Sequence, residues 1–317
     1  MNVEEAYHLW QDEYWNVSGN ILENTIRGYI SIFNHHILPQ VGDNNIGNIN
    51  YDKLQKYYNL LSNSGIRPKT IRNINQALES LLNWCYVKRF IDKKEPSNII
   101  LPKRRGGNNI KNSISEEEFE ILLPHLNGHF RYAIQFYAAT GVRPEEIGIL
   151  NKNISLNNKT INICNAIKRK YVDYNLKTTE LVLSSYLKTN AAYRTIPITP
   201  NVEEIISNQY KMLQSQEITS EYLFCNTTGN LIDLRNLLRS YYSALKRAGL
   251  EKRGLNSLRK LYIHRMVKNG MKPKTLQKLV GHEEYSTTMK YYLEITEQEK
   301  IDEAFEVYDR MMSKIGS

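Results

Sequence analysis

The chain has 317 residues, of which 41% are apolar and 24% charged, proportions near the globular average that exclude wholesale disorder and fibrous repeats. At ~150 residues per domain the length accommodates two domains. Forty-two lysines and arginines against 33 acidic residues give a formal charge of +9, an excess that points to a polyanionic partner. No apolar run nears the ~18 residues of a membrane span. The acidic start, MNVEEAYHLWQDEYW, is not a signal peptide, so a cytoplasmic protein is expected. Cys85, Cys164 and Cys225 are widely separated and read as buried thiols rather than a disulfide framework or zinc site.

In chain order, the first hundred residues predict helices over 3–15, 21–37, 51–63 and 70–87, broken at Ser18-Gly19, at Pro39 with the Gly42 to Gly47 stretch, and at Gly65 and Pro68. The last helix carries Ile71, Ile74, Leu78, Leu81 and Cys85 at steps of three and four, the stripe of one buried face. Residues 101–109, with Pro102, the cations Lys103, Arg104 and Arg105, and paired glycines, have no periodicity and predict a linker that crosses a phosphate backbone. Ser115 with Glu118 three residues on is a capping-box pattern that opens the next helix.

Beyond it the pattern is mixed. A buried helix is expected over 129–139, then a turn at Thr140-Gly141-Val142-Arg143, then a second helix whose first turn holds Pro144, Glu145 and Glu146. Ile154 to Leu156 and Thr160 to Ile163 predict a hairpin about Asn157-Asn158-Lys159, and strand-like runs follow at 180–185 and 194–198. From Pro200 helices return. The last is strongly amphipathic, with Ile301, Ala304, Phe305, Tyr308, Met311 and Met312 on one stripe. The expected class is mainly helical α+β: a helical domain over 1–100, a linker over 101–112, and a mixed domain with a small antiparallel sheet over 113–317.

The charge concentrates over 246–278, where eleven cations, among them Lys252, Arg253, Arg259 and Lys260, face Glu251 alone. This segment is expected to line an anionic surface. Phosphate-loop and serine-hydrolase motifs are missing, and His282-Glu283-Glu284-Tyr285-Ser286 has serine where a zinc helix needs its second histidine. No compact carboxylate cluster fits a two-metal nuclease, so no cofactor or metal is expected and phosphoryl chemistry would fall to cationic side chains. Arg143, Lys188, Arg259 and His282, the last nine residues before Tyr291, are candidates. Each spacing alone is weak, because an arginine after a glycine turn is commonly structural and tyrosines number 22.

Together, Thr140-Gly141-Val142-Arg143-Pro144-Glu145-Glu146-Ile147, Leu187-Lys188-Thr189 through Ile198, Leu258-Arg259, and Gly281-His282 through Thr287-Thr288 to Tyr291-Tyr292 resemble the successive active-site boxes of the tyrosine recombinase, or phage integrase, family. Thr25-Ile26-Arg27-Gly28-Tyr29 and His36-Ile37-Leu38-Pro39 resemble its core-binding domain. The resemblance implies DNA cutting and rejoining through a 3′-phosphotyrosine on Tyr291, without metal or ATP. Arg143, Arg259 and His282 would bind the scissile phosphate, Lys188 would protonate the leaving 5′ oxygen, and Glu146 would support the first arginine. One box departs: Asn256 stands where the family usually has histidine, and an amide cannot exchange a proton near neutral pH. Tyr292 is the rival nucleophile, while Tyr285 and His264 read as packing or surface residues.

The implied partners are double-stranded DNA recombination sites, contacted through Lys103, Arg104, Arg105, Lys252, Arg253 and Lys260, and three further copies of the chain docked through the terminal helix. An accessory excision factor and a nucleoid-associated location go with them. The length of 164–187 resembles the hairpins of mobile-element integrases. A catalytically impaired DNA-binding homologue and a type IB topoisomerase are the alternatives.

Overall fold

A computed structural model describes residues 1–15, 23–92, 99–103, 113–173, 178–187, 189–293, 301, 304–308 and 311–312. It divides into two compact units, Met1–Gly107 and Asn108–Ser317. The expected break at Ser18-Gly19 lies outside the described residues.

The first unit is helical: α1 (Val3–Trp10), α2 (Glu23–Ile32), α3 (Leu38–Val41), α4 (Tyr51–Asn63) and α5 (Pro68–Val87). Its core is formed by Val3, Tyr7, Trp10, Phe33, Ile37 and the α5 stripe, where Ile71, Ile74, Leu78, Leu81 and Cys85 are all buried. The expected break at Pro39 is a correction. The backbone stays helical from α2 into α3 through a wide turn at Phe33–Ile37, in which the Leu38 N–H donates to the Phe33 carbonyl five residues back. Proline cannot donate, and its ring collides with the carbonyl four residues back in a regular α-helix. A π-type turn just ahead of it relieves that conflict. The His36 carbonyl there accepts the Tyr57 hydroxyl at 3.0 Å. The start of the expected linker is fastened to this unit, since Arg72 donates to Pro102 O at 2.6 Å and Gln55 pairs with the Ile100 backbone.

The second unit holds α6 (Glu116–Leu122), α7 (Arg131–Thr140), β1 (Ile154–Ser155), β2 (Thr160–Ile163), β3 (Ala166–Asp173), β4 (Thr178–Ser184), β5 (Arg194–Pro197), α8 (Pro200–Ser215), α9 (Leu234–Arg247), α10 (Asn256–Lys268), α11 (Pro273–Val280) and α12 (Tyr285–Leu293). The Ser115 and Glu118 box caps α6 in both directions, at 3.2 and 2.8 Å. Strands β1, β2 and β5 form one antiparallel sheet in which Ile161 faces Ile196 and Ile163 faces Arg194. Strands β3 and β4 form a separate long hairpin. Arg169 fastens that hairpin to the cap of α9 through Asp233 at 2.7 Å.

One further expectation is corrected. Pro144–Ile147 is a single 3-10 turn rather than the start of an α-helix. The chain passes so close to the hairpin that a Cβ on Gly148 would lie 2.6 Å from a Leu183 methyl. The paired strands β3 and β4 fall in the segment 164–187 whose length resembles a long hairpin, although the residue pattern shows only the second strand, because Lys168-Arg169-Lys170 hides the alternation of β3. The terminal stripe is helical where described, and Ile301, Phe305, Tyr308, Met311 and Met312 are exposed. Among the described residues, no helix is long and apolar enough to cross a membrane.

Candidate active site

Two helices end in the same way. Gly141 closes α7 at φ 66°, and Gly281 closes α11 at φ 71°, the left-handed region where glycine is favoured. Such turns leave the last carbonyls of each helix without partners inside it, at the negative end of the helix dipole. Arginines satisfy them. Arg259 of α10, buried in the core, donates to Gly141 O and Val280 O, both at 2.6 Å. Arg194 Nε donates to Leu279 O at 2.8 Å, and Arg143 Nη2 donates to Gly281 O. Three successive carbonyls of one turn therefore each take a different guanidinium.

Neither glycine tolerates a side chain. A Cβ on Gly141 would stand 2.3 Å from the Tyr262 ring, and one on Gly281 would stand 2.8 Å from Ala191 O. Gly141→Ala combines left-handed strain with overpacking, and is expected to cost about 2–5 kcal/mol of folding stability. The urea midpoint measures it, and an unchanged midpoint would contradict this packing.

Glu146, 2% exposed, is the acidic member of the cluster. Its carboxylate accepts from Arg143 N and Arg143 Nη1, both at 2.7 Å, and from Arg194 Nη1 and Nη2 at 2.9 and 2.7 Å. Burial alone would raise its carboxyl, but the two arginines hold it below the usual range. Three guanidiniums against one carboxylate leave two positive charges uncompensated. Burial, and then Arg143, pull the Arg259 guanidinium down to about 9. Arg143 and Arg259 each use two of five N–H groups on the described protein, so three remain on each for an anion.

His282 follows Gly281. Its Nδ1 lies 3.0 Å from the hydroxyl of fully buried Thr288. Burial, then Arg259, Arg143 and Arg194, lower its imidazole to about 4. The Tyr291 ring stacks on His282, with centroids 6.3 Å apart and planes at 15°, and meets His264 edge to face at 5.5 Å. Adjacent Tyr292 points away, its hydroxyl donating to Met271 O.

The structure thus brings together Arg143, Glu146, Arg259, His282 and Tyr291. Lys188, Arg104 and Arg105 lie outside the described residues. Asn256, the first residue of α10, is exposed and its side chain has no hydrogen-bond partner among the described residues. Lys103 is exposed, Lys260 half-buried, and Lys252 lies 4.2 Å from the centroid of the Tyr242 ring. Arg253 is engaged inward by a bidentate pair with Glu118, both bonds 2.7 Å.

The basic segment is accordingly divided. Arg247 donates to His125 O and Asn127, Arg265 to Glu116, and Arg253 and Arg259 are bound as above. The arginines tie helices together, and the cations left to form an anionic-partner surface are lysines. Sequence reasoning missed Arg194 and Thr288, and read His264 only as packing or surface. Their partners are distant in sequence or lack a motif, although Arg194 opens a recognised strand. Beside the cluster, Tyr193, Arg194, Lys274, Lys278 and His282 help to line a cavity of about 660 Å³.

The phage integrase family pattern matches residues 112–299, and the phage integrase N-terminal SAM-like domain matches residues 3–62. The chain belongs to the phage integrase family. This integrase is a tyrosine recombinase. It is 26% identical over 267 residues, 78% of the chain and 68% of the relative, to a tyrosine recombinase XerC-like protein of Caldanaerobacter subterraneus subsp. tengcongensis. It is 22% identical over 253 residues to the tyrosine recombinase XerC of Chlamydia pneumoniae, covering 76% and 72% of the two chains. Its fold is similar to the Tn1549 transposon integrase solved in complex with transposon right end DNA, with TM-score 0.75, 18% identity, and 97% and 100% of the two chains covered. It is also similar to a lambda integrase dimer bound to a core site, with TM-score 0.68, 15% identity, and 92% and 95% covered.

The integrase's half-buried His282 has a consequence for stability. Its imidazole is at about 4 in the folded chain, against about 6.5 when unfolded, so between these values the unfolded chain binds a proton that the folded chain refuses. That contribution is fully present above pH ~6.5 and is lost as the pH falls toward 4. The lowered Glu146 adds a loss of the same sign only as the pH falls below about 4.5. Urea midpoints are expected to fall between pH 7 and pH 5, with a shallower slope in His282→Asn. An equal slope in the variant would contradict the assignment.

Proposed function

We propose that this integrase cuts and rejoins DNA at specific sites through a phosphotyrosine on Tyr291, and that its second unit is the catalytic domain and its first the core-binding domain. One observation carries the reading: a buried cluster with two uncompensated positive charges and six available guanidinium N–H groups beside a phenol. A phosphodiester brings one negative charge, and its pentacoordinate transition state concentrates two on the nonbridging oxygens, which matches the surplus. Planar guanidiniums bind such oxygens in pairs and keep their charge.

In the reaction, Tyr291 Oη forms a bond to phosphorus as the bond to the 5′ oxygen breaks. The proton of Tyr291 passes to solvent water and Lys188 protonates the leaving oxygen, giving a 3′-phosphotyrosine and a free 5′ hydroxyl. The surrounding cations favour the phenolate. Neutral His282 donates from Nε2 to a nonbridging oxygen when the Thr288 hydroxyl donates to Nδ1. The ester keeps the energy of the broken bond, so attack by another 5′ hydroxyl reseals DNA without ATP.

Double-stranded DNA is the partner, held through phosphate contacts by Lys103, Arg104, Arg105 and the lysines of 246–278. Such binding weakens steeply with salt. The exposed terminal stripe supports docking on a neighbouring copy, and a lambda integrase of similar fold was solved as a tetramer bound to a Holliday junction, at TM-score 0.64 and 16% identity. The long β3 and β4 hairpin supports a mobile-element integrase.

The test is a randomised library of nicked suicide duplexes. Adducts surviving denaturation are captured and sequenced, then recovered sites are paired for strand exchange. Covalent capture followed by two-site exchange supports the proposal. Binding without capture would make the chain an impaired homologue, as Asn256 allows, and nicking-closing without exchange would make it topoisomerase-like.

A further inference from the structure

Arg194 is built unlike the two arginines beside it. Its side chain is 5% exposed, and four of its five N–H groups are taken by Leu279 O, Ala192 O and the two oxygens of Glu146. It has no fork to offer a substrate. The Glu146 carboxylate, with four donors on its two oxygens, is saturated. Were Arg194 absent, that carboxylate would be free to close a bidentate pair on Arg143, cancelling the charge that faces the anion. The same side chain joins β5 to the last turn of α11, from which His282 emerges, and to the 3-10 turn that follows Arg143.

We infer that Arg194 is a positioning residue: by occupying Glu146 and the end of α11 it leaves Arg143 only partly compensated, open and aligned, without itself touching DNA. The inference rests on the reading of this cluster as a phosphate clamp. It makes Glu146 an inhibitor of the clamp whenever Arg194 is missing. The damage done by removing the arginine is therefore relieved by removing the carboxylate.

The experiment compares Arg194→Met, Arg194→Lys, Glu146→Gln and the Glu146→Gln/Arg194→Met double variant, measuring cleavage of a captured suicide duplex, equilibrium binding of that duplex, and the His282 ring titration by NMR. Arg194→Met is expected to slow cleavage by ~10–100-fold, with binding changed far less, and to move the His282 titration upward by ~1 unit as local positive charge is lost. The double variant is expected to regain at least part of the rate and to return the titration downward. Arg194→Lys, which keeps a cation but loses the fork, is expected between wild type and Arg194→Met.

A double variant no faster than Arg194→Met would overturn the inference and leave Arg194 as packing alone, as would equal rates for the lysine and methionine variants. If Arg194→Met fails to fold, Arg194→Lys with and without Glu146→Gln gives the same comparison. Wild-type protein that captures no duplex would instead sink the recombinase reading. The NMR titration still decides the charge relation in that case, and an unmoved His282 would overturn it.

Discussion

Tyr291→Phe is expected to abolish covalent capture of DNA while leaving binding and folding near wild type. The hydroxyl is the atom that would become esterified, and the phenylalanine ring preserves the stack on His282 and the edge contact with His264. Tyr292→Phe is expected to do the reverse. Its hydroxyl is bonded to Met271 O on the far side of α12, and adjacent helical positions diverge by about 100°. Losing that bond is expected to cost about 1 kcal/mol of stability, or more if the carbonyl stays buried and unpaired, while the adduct still forms. Denaturing gels read the first property and urea titration the second. An adduct that persists in Tyr291→Phe and vanishes in Tyr292→Phe would overturn the assignment of the nucleophile.

Arg259→Met is expected to slow cleavage by a hundredfold or more, the effect of losing a transition-state donor worth about 2.7–4 kcal/mol. Stability is expected to fall as well, by the balance of two opposing effects. The substitution leaves Gly141 O and Val280 O without their donor, a loss of about 1–3 kcal/mol for each carbonyl that water does not reach. It also removes a buried cation whose guanidinium is already depressed to about 9 by burial and by Arg143, and relief of that repulsion offsets part of the loss. Arg259→Lys keeps a charge but cannot span two carbonyls and still present a planar fork to phosphate, so it too is expected to lose most of the rate. Cleavage near wild type in either variant would remove Arg259 from the clamp. A large loss of stability with normal cleavage by the folded fraction would make it purely structural.

What the sequence makes legible here is local. The α5 stripe, the Ser115 and Glu118 box, the β1 and β2 hairpin and the exposed terminal stripe are all written in spacings of a few residues. Arg143, Arg259, His282 and Tyr291 were named through boxes whose order along the chain carries the information, and the fold brings these residues together. The chemistry that joins them is less visible. The acceptors of Arg259 are peptide carbonyls at Gly141 and Val280, and a carbonyl has no letter. Arg194 meets Glu146 from 48 positions away, and Thr288 meets His282 through a hydroxyl that two adjacent threonines make ambiguous. Charge density misled in one respect. A run of cations over 246–278 reads as one exposed surface, yet Arg253 and Arg259 are turned into the unit, and Arg247 and Arg265 are engaged at its surface by acceptors their neighbours in sequence do not reveal. β3 was hidden for a related reason, three consecutive cations overlying a strand.

The turn that ends α11 has an implication for how the site responds to disturbance. Arginines from three separate stretches of the chain terminate on the consecutive peptide groups of Leu279, Val280 and Gly281. A shift of that one turn disturbs all three cations together, while Glu146, Ala192 O and Gly141 O still hold them from other sides. Substitutions that loosen α11 are therefore expected to perturb the three arginines jointly rather than one at a time.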